Sequence, residues 1–208
     1  MITVTRILRG DLDPAIAGKL SSVSRIAWDI ETSGLDPVYD KIATVQLHAP
    51  EFGTALVQIL QDTNPARLCG LLEESKIQKV FHHAMFDLRF MVAKWNVRPI
   101  HVACTKVASK LLAPSEQSTA HTLQSLLAEE LGVHISKTQR LSNWLAEDLS
   151  ADQVSYASAD VQYLLPLLDH LERRIVAADL QTDFAACLAF LPTRVRLDLG
   201  NWPDVFGY

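Results

Sequence analysis

Ile26-Ala27-Trp28-Asp29-Ile30-Glu31-Thr32-Ser33-Gly34-Leu35-Asp36-Pro37 is the stretch on which the fold and the chemistry both turn. An apolar run carries two acids, then breaks into a Ser-Gly turn and an Asp-Pro, the pattern of a buried strand entering a loop. Asp29 and Glu31 are two residues apart, so on a strand both side chains point to one face. Two carboxylates side by side in a core strand repel each other and resist desolvation. A sequence keeps such a pair when something positive sits on it, and a divalent cation is the simplest candidate. A strand end at which both acids reach water would produce the same letters, so the rest of the chain has to decide.

The chain has 208 residues, enough for one sizeable core. Apolar residues make up 49% and charged residues 21%, the balance of a globular protein with a water-facing surface. The formal net charge of −5 argues against a broad basic face that holds long nucleic acid. It leaves room for a small nucleotide substrate whose phosphates meet metal ions. Cys69, Cys104 and Cys187 are odd in number and far apart, with no Cys-x-x-Cys, which excludes a disulfide framework or a zinc ribbon and fits thiols in a reducing compartment. Met1 to Gly10 has scattered charge and no apolar centre, and no stretch is long enough to span a bilayer. The expectation is a cytoplasmic protein without signal peptide or membrane contact.

Loose alternation over Ile2–Leu8 predicts an edge strand, and Asp13-Pro14 starts a short helix to Leu20. Strands are expected at Arg25–Glu31, Ile42–His48, Thr54–Val57, Lys79–His82 and Ile100–Cys104. Helices are expected at Pro65–Glu74, Ala84–Trp95 and Thr105–Leu112, and from a Thr122 cap to Leu131, stopped by Gly132. Ser150 caps a long helix from Ala151 to about Ala178, with Pro166 bending it, and Thr182–Phe190 forms the last. Strands come early and helices alternate with them later, which predicts an α/β fold: a mixed sheet covered by helices on both faces.

Two further stretches carry acids. In Val80-Phe81-His82-His83-Ala84-Met85-Phe86-Asp87-Leu88, Asp87 falls in the first turn of a helix, where the helix dipole alone would favour an acid. In Val154-Ser155-Tyr156-Ala157-Ser158-Ala159-Asp160, Tyr156 and Asp160 are four apart on a helix and share a face among small residues.

Together the three stretches resemble the DEDD exonuclease superfamily, named for its four acids, and Tyr156 matches its tyrosine-bearing branch. The residues around each acid are similar to ribonuclease D: Trp28-Asp29-Ile30-Glu31-Thr32, His82-x-Ala84-x-Phe86-Asp87-Leu88 and Tyr156-Ala157-x-x-Asp160-Val161, with Lys137-x-Gln139-x-x-Ser142-x-Trp144 shortly before the third. The resemblance covers about residues 23 to 170. It departs at His83, where ribonuclease D usually has Asn. It departs also at the end, where no room is left for helical C-terminal domains of the HRDC type. Ala186-Cys187-Leu188-Ala189-Phe190-Leu191-Pro192-Thr193-Arg194, Leu197-Asp198-Leu199, Trp202 and Cys104-Thr105-Lys106-Val107-Ala108-Ser109-Lys110-Leu111 look like the short nano-RNase C group. That group tends to have Phe-Gly-Arg where this chain has His83-Ala84-Met85.

The resemblance implies a ribonuclease H-like fold in one 3′–5′ exonuclease domain over 1–208. It implies hydrolysis of very short RNA, dinucleotides above all, to nucleoside 5′-monophosphates. Asp29, Glu31, Asp87 and Asp160 are then the ligands of two divalent cations, Mg2+ or Mn2+, with oxygen donors that suit hard ions. Tyr156 joins these four as a catalytic residue that orients or deprotonates the attacking water. Thr32, Leu35, His83, His121, Lys137 and Gln139 are candidate substrate contacts, Leu35 as a wedge between the two terminal bases. The alternative is a general ribonuclease D-like enzyme on longer RNA or single-stranded DNA. An inactive nucleic-acid-binding module would be expected to have lost an acid, and all four are present. The resemblance further implies a homo-oligomeric ring, and Phe190, Leu191, Leu197, Leu199, Trp202, Val205, Phe206 and Tyr208 give the tail the apolar character of a subunit contact.

Overall fold

The fold grows around the strand that carries the first two acids. The computed structural model describes residues 5–60, 63–136, 138–139, 141–202 and 204–207. In chain order the elements are β1 (Thr5–Arg9), α1 (Pro14–Leu20), β2 (Arg25–Thr32), β3 (Ile42–Ala49), β4 (Gly53–Gln58), α2 (Ala66–Glu73), β5 (Gln78–Phe81), α3 (Ala84–Trp95), β6 (Val102–Cys104), α4 (Thr105–Leu112), α5 (Leu123–Leu131), α6 (Ala151–Gln162), α7 (Leu164–Ala177) and α8 (Gln181–Leu199). The six strands form one sheet in the order β1-β4-β3-β2-β5-β6. β3 is antiparallel to both its neighbours, while the pairs β1–β4, β2–β5 and β5–β6 are parallel. β1 is thus an edge strand, as its loose alternation predicts.

Alternation along β2 separates two chemistries. Ile26, Trp28 and Ile30 enter a core built with α1, α2, α3 and part of α8. Ala27 belongs to the core on the other face, built with α4, α5 and α7. Asp29 and Glu31 follow Ala27 at the strand period and so lie on that second face. A smaller cluster of Ala43, Leu56, Trp144 and Ala157 places α6 against β3 and β4 on the same side. Both faces of the mixed sheet are covered, as expected from the alternation of strands and helices.

Local signals end the helices where the sequence places them. Asp13 caps α1 by accepting from the Ile16 N–H at 2.8 Å. Thr122 caps α5, and Gly132 closes it with φ +64°. Ser150 and Gln153 form a reciprocal capping box at the start of α6. Two expectations need correction. The single long helix over Ala151–Ala178 is two helices that break at Tyr163, because Pro166 has no N–H to offer the carbonyl of Gln162. The last helix does not stop at Phe190: α8 runs through Pro192 to Leu199, held in register by the burial of Leu191 and Val195 one turn apart. No helix among the described residues is long and apolar enough to cross a membrane.

Candidate active site

The carboxyl end of β2 opens into a cleft of about 210 Å³ lined by Asp29, Glu31, Asp87, Tyr156 and Asp160 together with His82, His83, Phe86, Leu123, Gln124 and Ile135. The cleft exists because β2 and β5 stay paired only over Arg25–Ala27. β5 ends at Phe81, so β2 runs on beyond its neighbour. The Ile30 N–H then donates to Asp87 Oδ1 at 3.2 Å, which draws the first turn of α3 toward the acids of β2. α6 approaches from the other side of the gap and presents Tyr156 and Asp160 on one face, four residues apart. Carboxylate oxygens of Asp29, Glu31 and Asp160 all lie within 4.8 Å of one another.

So dense a set of acids disturbs its own protonation. Burial, and then the charges of Asp87, Asp160 and Glu31, hold the Asp29 carboxyl well above the usual range. Burial pushes Asp87 up to about 7, against hydrogen bonds from the Ile30 and Asp87 N–H groups that pull it down. Burial, followed by the charges of Asp160, Glu31 and Asp29, drives the Tyr156 phenol far above its ordinary value. These acids are under-compensated, and a hard divalent cation supplies what they lack; four carboxylates around one gap suit such an ion by donor type and by charge.

The cleft walls come from three separated segments. His82 Nδ1 lies 2.9 Å from Thr105 Oγ1, and that hydroxyl in turn donates to the Phe81 carbonyl at 3.4 Å. The His83 ring stacks near Phe86 at 6.5 Å between centroids. Although the residue is exposed on one side, desolvation and then Lys106, Arg89 and Lys110 hold its imidazole below the usual range. Gln124 Nε2 donates to the Ile135 carbonyl at 3.0 Å and ties α5 to the segment after it. Leu123, Gln124 and Ile135 carry no motif; their place in the wall follows from the docking of α5, which no local signal reports. Phe86 and His82 lie within the second acid-bearing stretch, and their neighbourhood to Asp87 was the available signal.

The other expected substrate contacts are spread more widely. Thr32 Oγ1 donates to the Gly34 carbonyl at 2.6 Å and ties the turn after β2. Asp40 accepts from Ser33 Oγ and from the Asp36 N–H in that turn. A Cβ on Gly34 would stand 2.4 Å from the Asp40 carboxylate, so a side chain there would displace the carboxylate that ties the turn. Leu35, 80% exposed, projects from it and does not line the cleft. His121 is buried, with Nδ1 2.7 Å from Ser109 Oγ, and lines a separate cavity with Glu129, Glu130 and Arg174. His121 is thus a buried histidine bonded to Ser109 and set apart from the acid-lined cleft. Gln139 is half-buried outside the cleft lining, and Lys137 lies outside the described residues.

A sequence profile of the 3′–5′ exonuclease family matches residues 11–176, most of the chain and every acid of the cleft. The chain belongs to the 3′–5′ exonuclease family. Within this family it is ribonuclease D-like and of the DEDD type. It is 29% identical over 152 residues to the ribonuclease D of Haemophilus influenzae, covering 73% of this chain and 37% of that one. To the Escherichia coli K12 ribonuclease D it is 29% identical over 158 residues. The chain spans less than half the length of these curated relatives. Among solved structures, Brucella melitensis NrnC superposes with a TM-score of 0.91 at 36% identity, over 99% of this chain and 98% of that one. That protein has also been solved with bound Mg2+ and bound to pGG. The Escherichia coli RNase D crystal structure shares the fold at a TM-score of 0.80 and 24% identity, over 92% of this chain and 51% of that one. The expected ribonuclease H-like architecture of a DEDD exonuclease is thereby borne out, with NrnC as a near structural relative.

Proposed function

We propose that this exonuclease-family chain hydrolyses very short RNA from the 3′ end, dinucleotides foremost, and releases nucleoside 5′-monophosphates. The observation that carries the reading is the convergence of Asp29, Glu31 and Asp160 within 4.8 Å, with Asp87 and Tyr156 in the same cleft. Asp29, Glu31, Asp87 and Asp160 would hold two divalent cations, Mg2+ or Mn2+, whose charge stabilises the attacking and leaving oxygens of phosphodiester hydrolysis. Burial and its acid neighbours hold the Tyr156 phenol far above its ordinary value, which favours a hydroxyl that orients the attacking water; deprotonating that water would need the cations to offset the acids. Asp87 braces the Ile30 backbone and so sets the height of Asp29 on β2. Phe86, Leu123 and Ile135 give the cleft an apolar wall on which a terminal nucleotide can rest. His83 lines the cleft, and Thr32 and Leu35 are further substrate contacts in this reading, Leu35 as a wedge between the two terminal bases.

Two observations support a short substrate. A chain of net charge −5 gains little affinity from each added phosphate of a long strand. The similarity to NrnC, solved bound to pGG, points the same way. The second reading, a general exonuclease on longer RNA or single-stranded DNA, is supported by the match to curated ribonucleases D. The proposal includes one exonuclease domain over 1–208, a cytoplasmic site of action and a homo-oligomeric ring. Exposed Trp202, Val205 and Phe206 lie after α8, where Phe206 meets Phe190 edge-on at 5.7 Å, and give the ring a contact surface. The test is a time course on end-labelled RNAs of two, three, seven and twenty nucleotides with Mg2+ or Mn2+. Faster turnover of the dinucleotide than of the twenty-nucleotide strand is expected at equal concentration; the reverse order favours the second reading.

A further inference from the structure

Tyr156 is held on one side by a side-chain hydrogen bond to Asp160, one turn along its own helix. Its ring meets that of Trp144, whose centroid lies 5.9 Å away at an interplanar angle of 45°. Trp144 is 3% exposed and packs with Ala43, Leu56 and Ala157. Its indole N–H has no hydrogen-bond partner among the described residues, so no polar bond of its own fixes the ring. The surrounding loop does so instead. At the front, Gln153 Nε2 donates to Ser142 Oγ at 3.0 Å and to the Asn143 carbonyl at 3.1 Å. The same side chain accepts from the Ser150 N–H at the head of α6. At the rear, Gln58 Nε2 donates to the Ala146 and Glu147 carbonyls at 3.2 Å each, and Arg9 Nη2 to the Glu147 carbonyl at 3.1 Å. The loop 142–147 is thus a strap, tied at one end to the helix that bears Tyr156 and Asp160 and at the other to β1 and β4.

We propose that Trp144, held by the Gln153 and Gln58 amides, is a positioning residue that fixes the Tyr156 hydroxyl over the acid cluster. The inference rests on the exonuclease reading above. A buried donor without an acceptor costs free energy, and retaining an indole here is explained by its shape against the phenol and not by a bond it makes. Gln153 acts twice, as a helix cap and as the tie that keeps strap and helix in one register. Misplacing a reacting group by about 1 Å can cost roughly 100-fold in rate, so loss of the strap should appear in kcat before it appears in binding.

The test compares Trp144→Phe, Trp144→Leu and Gln153→Met with the full-length wild type. Each is measured for kcat and KM on a dinucleotide, for Mg2+ binding by calorimetry, and for the environment of Tyr156 by 19F NMR after 3-fluorotyrosine incorporation. The chain has four tyrosines, so the Tyr156 line is assigned with Tyr156→Phe. Trp144→Leu should lower kcat roughly 10- to 100-fold. KM and Mg2+ affinity should stay within about twofold, and the Tyr156 resonance should move as the indole ring current is lost. Trp144→Phe should recover most of the rate. Gln153→Met keeps the side-chain volume and tests the tie even if Trp144→Leu fails to fold; its kcat should fall with a broadened Tyr156 line. A folded Gln153→Met or Trp144→Leu protein whose kcat matches wild type while the Tyr156 line has shifted overturns the proposal. A wild type that cleaves neither RNA nor single-stranded DNA with Mg2+ or Mn2+ would instead remove the exonuclease reading, and the NMR line alone would then show whether Trp144 fixes the phenol.

Discussion

Replacing Asp87 by Asn should make the metal-free protein more stable at neutral pH and at the same time inactive. Asp87 is 3% exposed, and burial moves its carboxyl from 3.8 to about 7. At pH 8 the folded state must keep that buried carboxylate charged, at a cost of about 4 kcal/mol relative to the unfolded chain. The sign follows from proton binding: the folded state binds the proton more tightly, so the stability it lends is whole below pH 3.8 and is lost as pH rises through about 7. Asp87→Asn removes this loss and keeps an acceptor for the Ile30 N–H. Even a quarter of the figure, about 1 kcal/mol, raises Tm by roughly 2–4 °C in a chain of this length. The assay is thermal unfolding of both proteins in EDTA from pH 4 to pH 8, then with added Mg2+. The gap in favour of Asp87→Asn should widen with pH in EDTA. Mg2+ should stabilise the wild type at pH 8 more than the variant. An Asp87→Asn protein less stable than wild type at pH 8 in EDTA would refute the reasoning.

Other expectations are more direct. Tyr156→Phe should lower kcat on a dinucleotide by roughly 10-fold or more, the scale of a lost positioned proton donor, without an equal loss in KM; an unchanged rate would leave Tyr156 as packing. His121→Asn should leave KM for RNA within about twofold while lowering stability by about 1–3 kcal/mol in denaturant titration, since a buried partner of Ser109 is altered. A chain ending at Arg196 should sediment and scatter light as a smaller particle than the full chain; a monomeric full chain at micromolar concentration removes the ring.

The acids were legible because each sits where a period fixes its direction. Asp29 and Glu31 share a face by strand alternation, and Tyr156 and Asp160 by the helical repeat; that the pairs belong to one site was implied by the resemblance to DEDD exonucleases and not by spacing. Asp87 was legible as a first-turn acid, but its bond to the Ile30 N–H depends on β2 running on beyond its pairing with β5, which is a property of the sheet. The break at Tyr163 was half legible: Pro166 predicts a bend, while the position of the break depends on which carbonyl the missing N–H abandons. The end set at Phe190 fell short, because burial of Leu191 and Val195 carries α8 on through Pro192. The pairing of His121, in the turn before α5, with Ser109 of α4 has no local signal either. The wall formed by Leu123, Gln124 and Ile135 has no local signature, since it depends on how α5 docks.

The central claim is that four carboxylates act together around divalent cations to cut RNA from its 3′ end. A single-turnover time course on 5′-labelled RNA, with and without Mg2+, for the wild type, Asp29→Asn and Asp160→Asn, tests it most directly. The wild type should shorten the RNA stepwise from the 3′ end only with Mg2+, and both variants should fold yet leave the substrate intact. Cleavage by either variant at near wild-type rate, or by the wild type in EDTA, would contradict it.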